Sequence, residues 1–193
     1  MITVPLRGVL ISLIALVAIG GVVAGAKGPA ATDTPGESEN ANFTSGACVS
    51  SGTTIVVDFG ASQTKPAIVR CVSNFHGTGW ELFEAAGLEV EGTSEYPKAF
   101  VCRIDGVPSS ITEDCKGTPT PITGTWSYFY ATDRGQSKVS AKNEWIRSPV
   151  GAATRKPNCG DFEGWLFSKA EFQEEKTKQP VTPSPSPSPF SCK

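Results

Sequence analysis

Six cysteines, one histidine and a run of alternating aromatic rings are the residues of this 193-residue chain best suited to chemistry. The cysteines are Cys48, Cys71, Cys102, Cys115, Cys159 and Cys192. They include no Cys-x-x-Cys and no zinc-finger spacing, so oxidative pairing is expected and a metal site is not. Cys102 and Cys115 flank a turn at Asp105-Gly106 and form the expected pair. The partners of Cys48, Cys71 and Cys159 stay open. Cys192 lies in a low-complexity tail, where it either remains unpaired or bonds another molecule.

A nucleophile working with a general base near neutral pH would have to use His76, the single histidine. It falls in a Phe75-His76-Gly77 turn, with no G-x-S-x-G elbow anywhere in the chain. An exposed turn residue is the expectation. Glu81, Glu84, Glu89, Glu91 and Glu95 form a carboxylate run, and two spaced carboxylates can hydrolyse glycosides. Glu81 suits a helix cap, however, and Glu89 and Glu91 alternate outward, so a solvated face is expected. Arg103 alternates outward beside Cys102, and Arg134, Lys138, Lys142 and Arg147 surround a Gly-rich stretch; such a patch could bind an anionic wall polymer, but a solvated loop is the expectation. The chain is expected to be no enzyme and to need no cofactor. The strongest lead is Trp126, Tyr128 and Tyr130, which share one face of a strand. Such rings offer wide contact area with polar tips to a sugar, a flat ring system or a protein. Packing beneath a helix competes with that reading.

The elements that must position these residues follow from periodicity. Thr53–Phe59 alternates with Ile55, Val57 and Phe59 on one side, as a strand does. Ala67–Val72, Leu88–Thr93, Ala99–Ile104, Thr125–Tyr130 and Gly164–Phe167 read as further strands. The one helix starts at a capping box, Thr78 with Glu81, and stops at Gly87. Leu82, Phe83 and Ala86 give it a narrow apolar face that must pack on a sheet. One helix set among several strands indicates an α+β fold with a mixed or antiparallel sheet.

Both ends differ from this middle. Arg7, the apolar run Val9–Val23 and Ala24-Gly25-Ala26 have the make-up of a signal peptide over residues 1–26. The alternative is a retained anchor spanning Val9–Ala26, which is the one route by which this chain would meet a membrane. Export places the cysteines in an oxidising space. Residues 27–46 read as a flexible linker containing an Asn42-Phe43-Thr44 glycosylation sequon, and 47–168 as the globular domain. Residues 169–193 read as a charged, then Pro/Ser-rich, tail that spaces the domain from a surface. The whole chain has 17 Lys+Arg against 19 Asp+Glu. This mild acidity excludes a nucleic-acid partner, which needs a basic face.

The helix Gly79-Trp80-Glu81-Leu82-Phe83-Glu84-Ala85-Ala86-Gly87, the strand and turn Phe100-Val101-Cys102-Arg103-Ile104-Asp105-Gly106, and Trp126-Ser127-Tyr128-Phe129-Tyr130 occur in that order. Together they resemble the transcobalamin-like C-terminal domain family of secreted or wall-attached bacterial proteins, over roughly Thr53–Phe167. Thr125 stands where that family usually carries an aromatic residue, and the cysteines are not a general family feature. The resemblance implies a β-grasp-like mixed sheet with one short helix packed on a face, here reinforced by disulfides. It also implies a non-enzymatic binding module, secreted or at the cell surface. Its ligand would be a small molecule such as a corrinoid, a wall glycan, or a protein outside the cytoplasm. The alternative is a structural or adhesion domain that displays a protein-contact face.

Overall fold

The computed structural model describes residues 42–132, 145–171, 179–182 and 191–192. The signal segment 1–26, most of the linker, and Arg134, Lys138 and Lys142 lie outside the described residues. Among the described residues, eight strands and one helix run in the order β1 (Phe43–Ser45), β2 (Thr53–Asp58), β3 (Ile68–Val72), α1 (Glu81–Ala85), β4 (Val90–Gly92), β5 (Val101–Ile104), β6 (Thr125–Ala131), β7 (Ile146–Arg147) and β8 (Phe162–Ser168). Six of them form one sheet, ordered β1-β3-β2-β8-β6-β7, while β4 and β5 pair separately. In the centre β2 and β8 are parallel, and the other neighbours are antiparallel. The fold is a mixed-sheet α+β fold with one short helix, as the order of elements predicts.

Strand alternation divides the core in two. Ile55, Val57 and Phe59 share the first face with Trp165 and Phe167, and α1 covers it with Leu82 and Phe83, all buried. Val56, Phe129, Phe162 and Leu166 share the second face with Trp145. There Gly164 lets the Trp145 ring close on the sheet: a Cβ at that position would come within 2.6 Å of the indole.

The helix begins where the capping box lies. Thr78 N–H donates to Glu81 Oε2 at 2.8 Å, and Glu81 N–H donates to Thr78 Oγ1 at 3.3 Å. Arg70 closes the other end. Its guanidinium donates to the carbonyls of Ala86 and Gly87 and lies 4.5 Å from the centroid of the Phe43 ring. In the β4–β5 unit, Asp105 and Gly106 both take positive φ, and Ile104 and Val107 bond across them. This is the two-residue turn that their types favour.

Three disulfides join Cys48 to Cys71, Cys102 to Cys115 and Cys159 to Cys192. Such bonds persist in an oxidising compartment. Among the described residues no helix is long and apolar enough to cross a membrane.

Two ends depart from the sequence reading. Phe43–Ser45, inside the segment read as linker, pairs with β3 as an edge strand. Its Phe43 ring finds an apolar seat against Gly87, which outweighs the polar character of its neighbours. Part of the segment read as a spacer also packs. Pro180 is buried beside Gly164, and Val181 N–H donates to Asp58 Oδ2 at 3.0 Å. Trp145 Nε1 donates to Thr182 Oγ1 at 3.2 Å, and Cys192 is bonded within the chain.

Candidate functional site

β6 and β8 run antiparallel in a register that sets Trp126 opposite Phe167, Tyr128 opposite Trp165 and Tyr130 opposite Glu163. Cross-strand neighbours of this kind touch. Tyr128 and Trp165 stack at 4.4 Å with planes 11° apart, and Trp126 meets Phe167 at 5.2 Å. Phe83 of the helix lies 5.2 Å from Trp165, and Phe59 lies edge-on to Trp126 at 5.7 Å. Trp126 Nε1 donates to the Val107 carbonyl at 3.1 Å, which fixes the indole.

The structure therefore brings the three predicted aromatics onto one face but gives them different surroundings. Trp126 and Tyr128 line a cleft of about 330 Å³ together with Trp165, and its walls carry Phe100 and the 147–151 loop. Phe100 and Val150 are each 44 % exposed at this cleft. Lys98 and Arg147 supply two cations to its lining, which includes no carboxylate. Tyr130 does not join them. Its ring lies under the Arg155 guanidinium, 3.8 Å from the centroid.

One buried donor among these rings is unsatisfied. Trp165 is 4 % exposed, and its indole Nε1 has no acceptor. Buried donors are nearly always paired, and an unpaired one costs about 1–3 kcal/mol. In the sequence, Trp165 is marked only by its place in the strand Gly164–Phe167. The alternation of Glu163, Trp165 and Phe167 is the local signal for it, and only the register sets it opposite Tyr128.

Beneath the aromatics lies a charged cluster. Arg155 Nε donates to Glu163 Oε1 at 2.9 Å, and its Nη2 donates to Asp161 Oδ2 at 3.2 Å. Tyr128 donates its hydroxyl to Glu163 Oε2. Burial raises the Glu163 carboxyl to about 7, although the Tyr128 hydrogen bond and the Arg155 charge oppose this. Burial, with the neighbouring Glu163 charge, also raises the Tyr128 phenol. Glu163 is fully enclosed, so this cluster holds the floor in place.

The other sequence candidates are dispersed. His76 is exposed and lines a separate cleft beside the Cys159–Cys192 bond. Glu81 is engaged in the helix cap, whose hydrogen bonds from Thr78 hold its carboxyl below the ordinary range. Glu91 pairs with Arg103. Among the described residues no group of three or more His, Cys, Asp or Glu could hold a metal ion. No protein family, curated protein or solved structure matches this chain.

Proposed function

We propose that this chain is a secreted or cell-surface binding module that acts by contact and not by catalysis. The cleft floored by Trp126, Tyr128 and Trp165 is its binding site. The observation that carries the reading is the aromatic-lined depression itself, edged by the partly exposed Phe100 and Val150. A flat face would lie against Trp126 while Lys98 and Arg147 at the lining meet ligand oxygens, an arrangement typical of sugar and ring recognition. A cleft of about 330 Å³ is near the lower limit for ligand pockets, so it suits one or two rings of a wall glycan. A corrinoid would lie across the mouth. Support for a β-grasp-like fold comes from the parallel β2–β8 pair, flanked by antiparallel β3 and β6, with α1 on one face. The Ala24-Gly25-Ala26 leader and the three disulfides support export.

One observation favours the adhesion reading. Ile111 and Ile122 are 97 % and 82 % exposed, and a 2.6 Å hydrogen bond from Thr123 to Glu113 ties their two loops together. A titration of the processed protein with wall glycan fragments and with cobalamins, read by thermal shift and indole fluorescence, separates the two. Saturable binding lost in Trp126→Ala, with the melting transition kept cooperative, supports the cleft. Absence of any shift, together with cell adhesion that is lost in an Ile111→Asp/Ile122→Asp variant, replaces it with the display role.

A further inference from the structure

The three disulfides are not equivalent. Cys48, Cys71, Cys102 and Cys115 are each at most 7 % exposed. Cys192 is exposed and Cys159 is half-buried, so the Cys159–Cys192 bond is the one that solvent reaches. It forms part of the lining of a cleft of about 550 Å³ whose other walls include Ser51, Asn74, His76 and Asn158. Room for a polar molecule thus adjoins the sulfur pair. The two sulfurs also differ. Gly52 N–H donates to Cys159 Sγ at 3.4 Å. A donor on a sulfur favours negative charge there, and the better thiolate is the better leaving group.

The same bond fastens a strap. Gln179 Nε2 donates to the Trp145 carbonyl at 3.2 Å, Trp145 Nε1 donates to Thr182 Oγ1 at 3.2 Å, and Val181 N–H donates to Asp58 Oδ2 at 3.0 Å. Pro180 lies buried against the second face of the sheet. Beyond it, Ser191 N–H donates to the Ser50 carbonyl at 2.6 Å, next to the disulfide. Among the described residues, these contacts and the covalent bond hold the tail to the domain.

We propose that Cys159–Cys192 is a thiol-exchange site for a small hydrophilic thiol, and that exchange there unlatches the strap from the sheet. The thiolate of the incoming molecule attacks the exposed Cys192 Sγ. A new sulfur–sulfur bond forms to Cys192 as the Cys159–Cys192 bond breaks, and its electron pair leaves on Cys159, where the Gly52 N–H receives it. A second thiolate of the same class attacks the mixed disulfide, releasing the oxidised small-molecule disulfide and leaving Cys192 reduced. The two buried disulfides are untouched, so the domain stays folded while Gln179–Thr182 leaves Trp145.

Reduced glutathione serves as the probe. The full processed chain is exposed to rising glutathione under native conditions, quenched by alkylation, and mapped by mass. The expected result is a glutathione adduct on Cys192 with label on Cys159, while the other four cysteines remain bonded. In parallel, the Trp145 indole N–H and the Val181 amide should lose hydrogen-exchange protection by at least about tenfold. A Cys159→Ser/Cys192→Ser variant should show the same loss without thiol and still melt cooperatively. Adducts on Cys159 in place of Cys192, simultaneous opening of all three disulfides, or a strap whose protection survives opening would each overturn the proposal.

Discussion

Glu163 is the residue where burial and charge conflict most directly. Its carboxyl is fully enclosed, yet it sits between an arginine and a phenol. Enclosure raises it from 4.5 to about 7, so the folded protein holds this proton more tightly than the unfolded chain does. A raised acid contributes stability that is complete below pH 4.5 and is lost as pH rises through about 7. Urea unfolding across pH 4 to 8 should therefore show stability falling through that window. In Glu163→Gln, which keeps the shape and an acceptor for Tyr128, the fall should be clearly shallower; equal slopes would mean that another group titrates. Nothing local in the sequence singles out this carboxylate, and the acidic run from Glu81 to Glu95 is the more conspicuous. Those side chains are adjacent in sequence but disperse to a helix cap, an ion pair and solvent. Glu163 stands between Phe162 and Gly164, and only its place in the period-2 pattern of β8, in phase with Trp165 and Phe167, marks it as inward.

At the scale of elements, α1 shows what a sequence states openly and what it conceals. Thr78, Glu81 and Gly87 announce both helix ends, because the groups that satisfy the orphan amides at its start and the reversal at its end are local. Arg70 and Phe43 could not be read the same way. They reach the C-terminal end of the helix across the β1–β3 pair, and nothing near residue 87 in the chain signals them. Gly87 has φ 65°, and a Cβ there would stand 2.5 Å from the Phe43 ring. Gly87→Ala should therefore cost about 1–2 kcal/mol from the left-handed backbone alone, and further stability as Phe43 is displaced. If the ring contact matters, Gly87→Ala/Phe43→Leu will lose less than the sum of the two single changes in a denaturant-unfolding cycle. Strict additivity would show that β1 yields without cost. The aromatic trio follows the same division. Alternation put Trp126, Tyr128 and Tyr130 on one face, but only the register with β8 decides that two of them meet Trp165 at a cleft while the third meets Arg155.

Across the whole molecule, the central parallel pair imposes long-range closure. β2 ends at Asp58 and β8 starts at Phe162, so the middle of the sheet forms only when distant segments meet. No periodicity within either strand specifies the other as its partner, which is why the sheet order was beyond the sequence while the strands themselves were not. The disulfides reinforce the margins: Cys48–Cys71 fastens the segment before β2 to β3, Cys102–Cys115 closes the loop after β5, and Cys159–Cys192 brings the tail to the approach of β8. Stability should accordingly grade from centre to edge. Val56, Val57, Trp165 and Leu166 lie in strands paired on both sides, so their amides should exchange only through global unfolding. β1 and β7 are the outer strands, two or three residues long, and should open locally with smaller free energies. Val181 in the strap should resemble them, because its amide is held by an exposed hydrogen bond to the Asp58 carboxylate. Native-state hydrogen exchange in low denaturant resolves these classes: the β2 and β8 amides should merge with the global isotherm, and those of β1, β7 and Val181 should stay nearly independent of denaturant. A β1 amide exchanging as slowly as Val57 would make the edge strand part of the cooperative core, and would show that Phe43 and Arg70 tie β1 firmly to the end of α1.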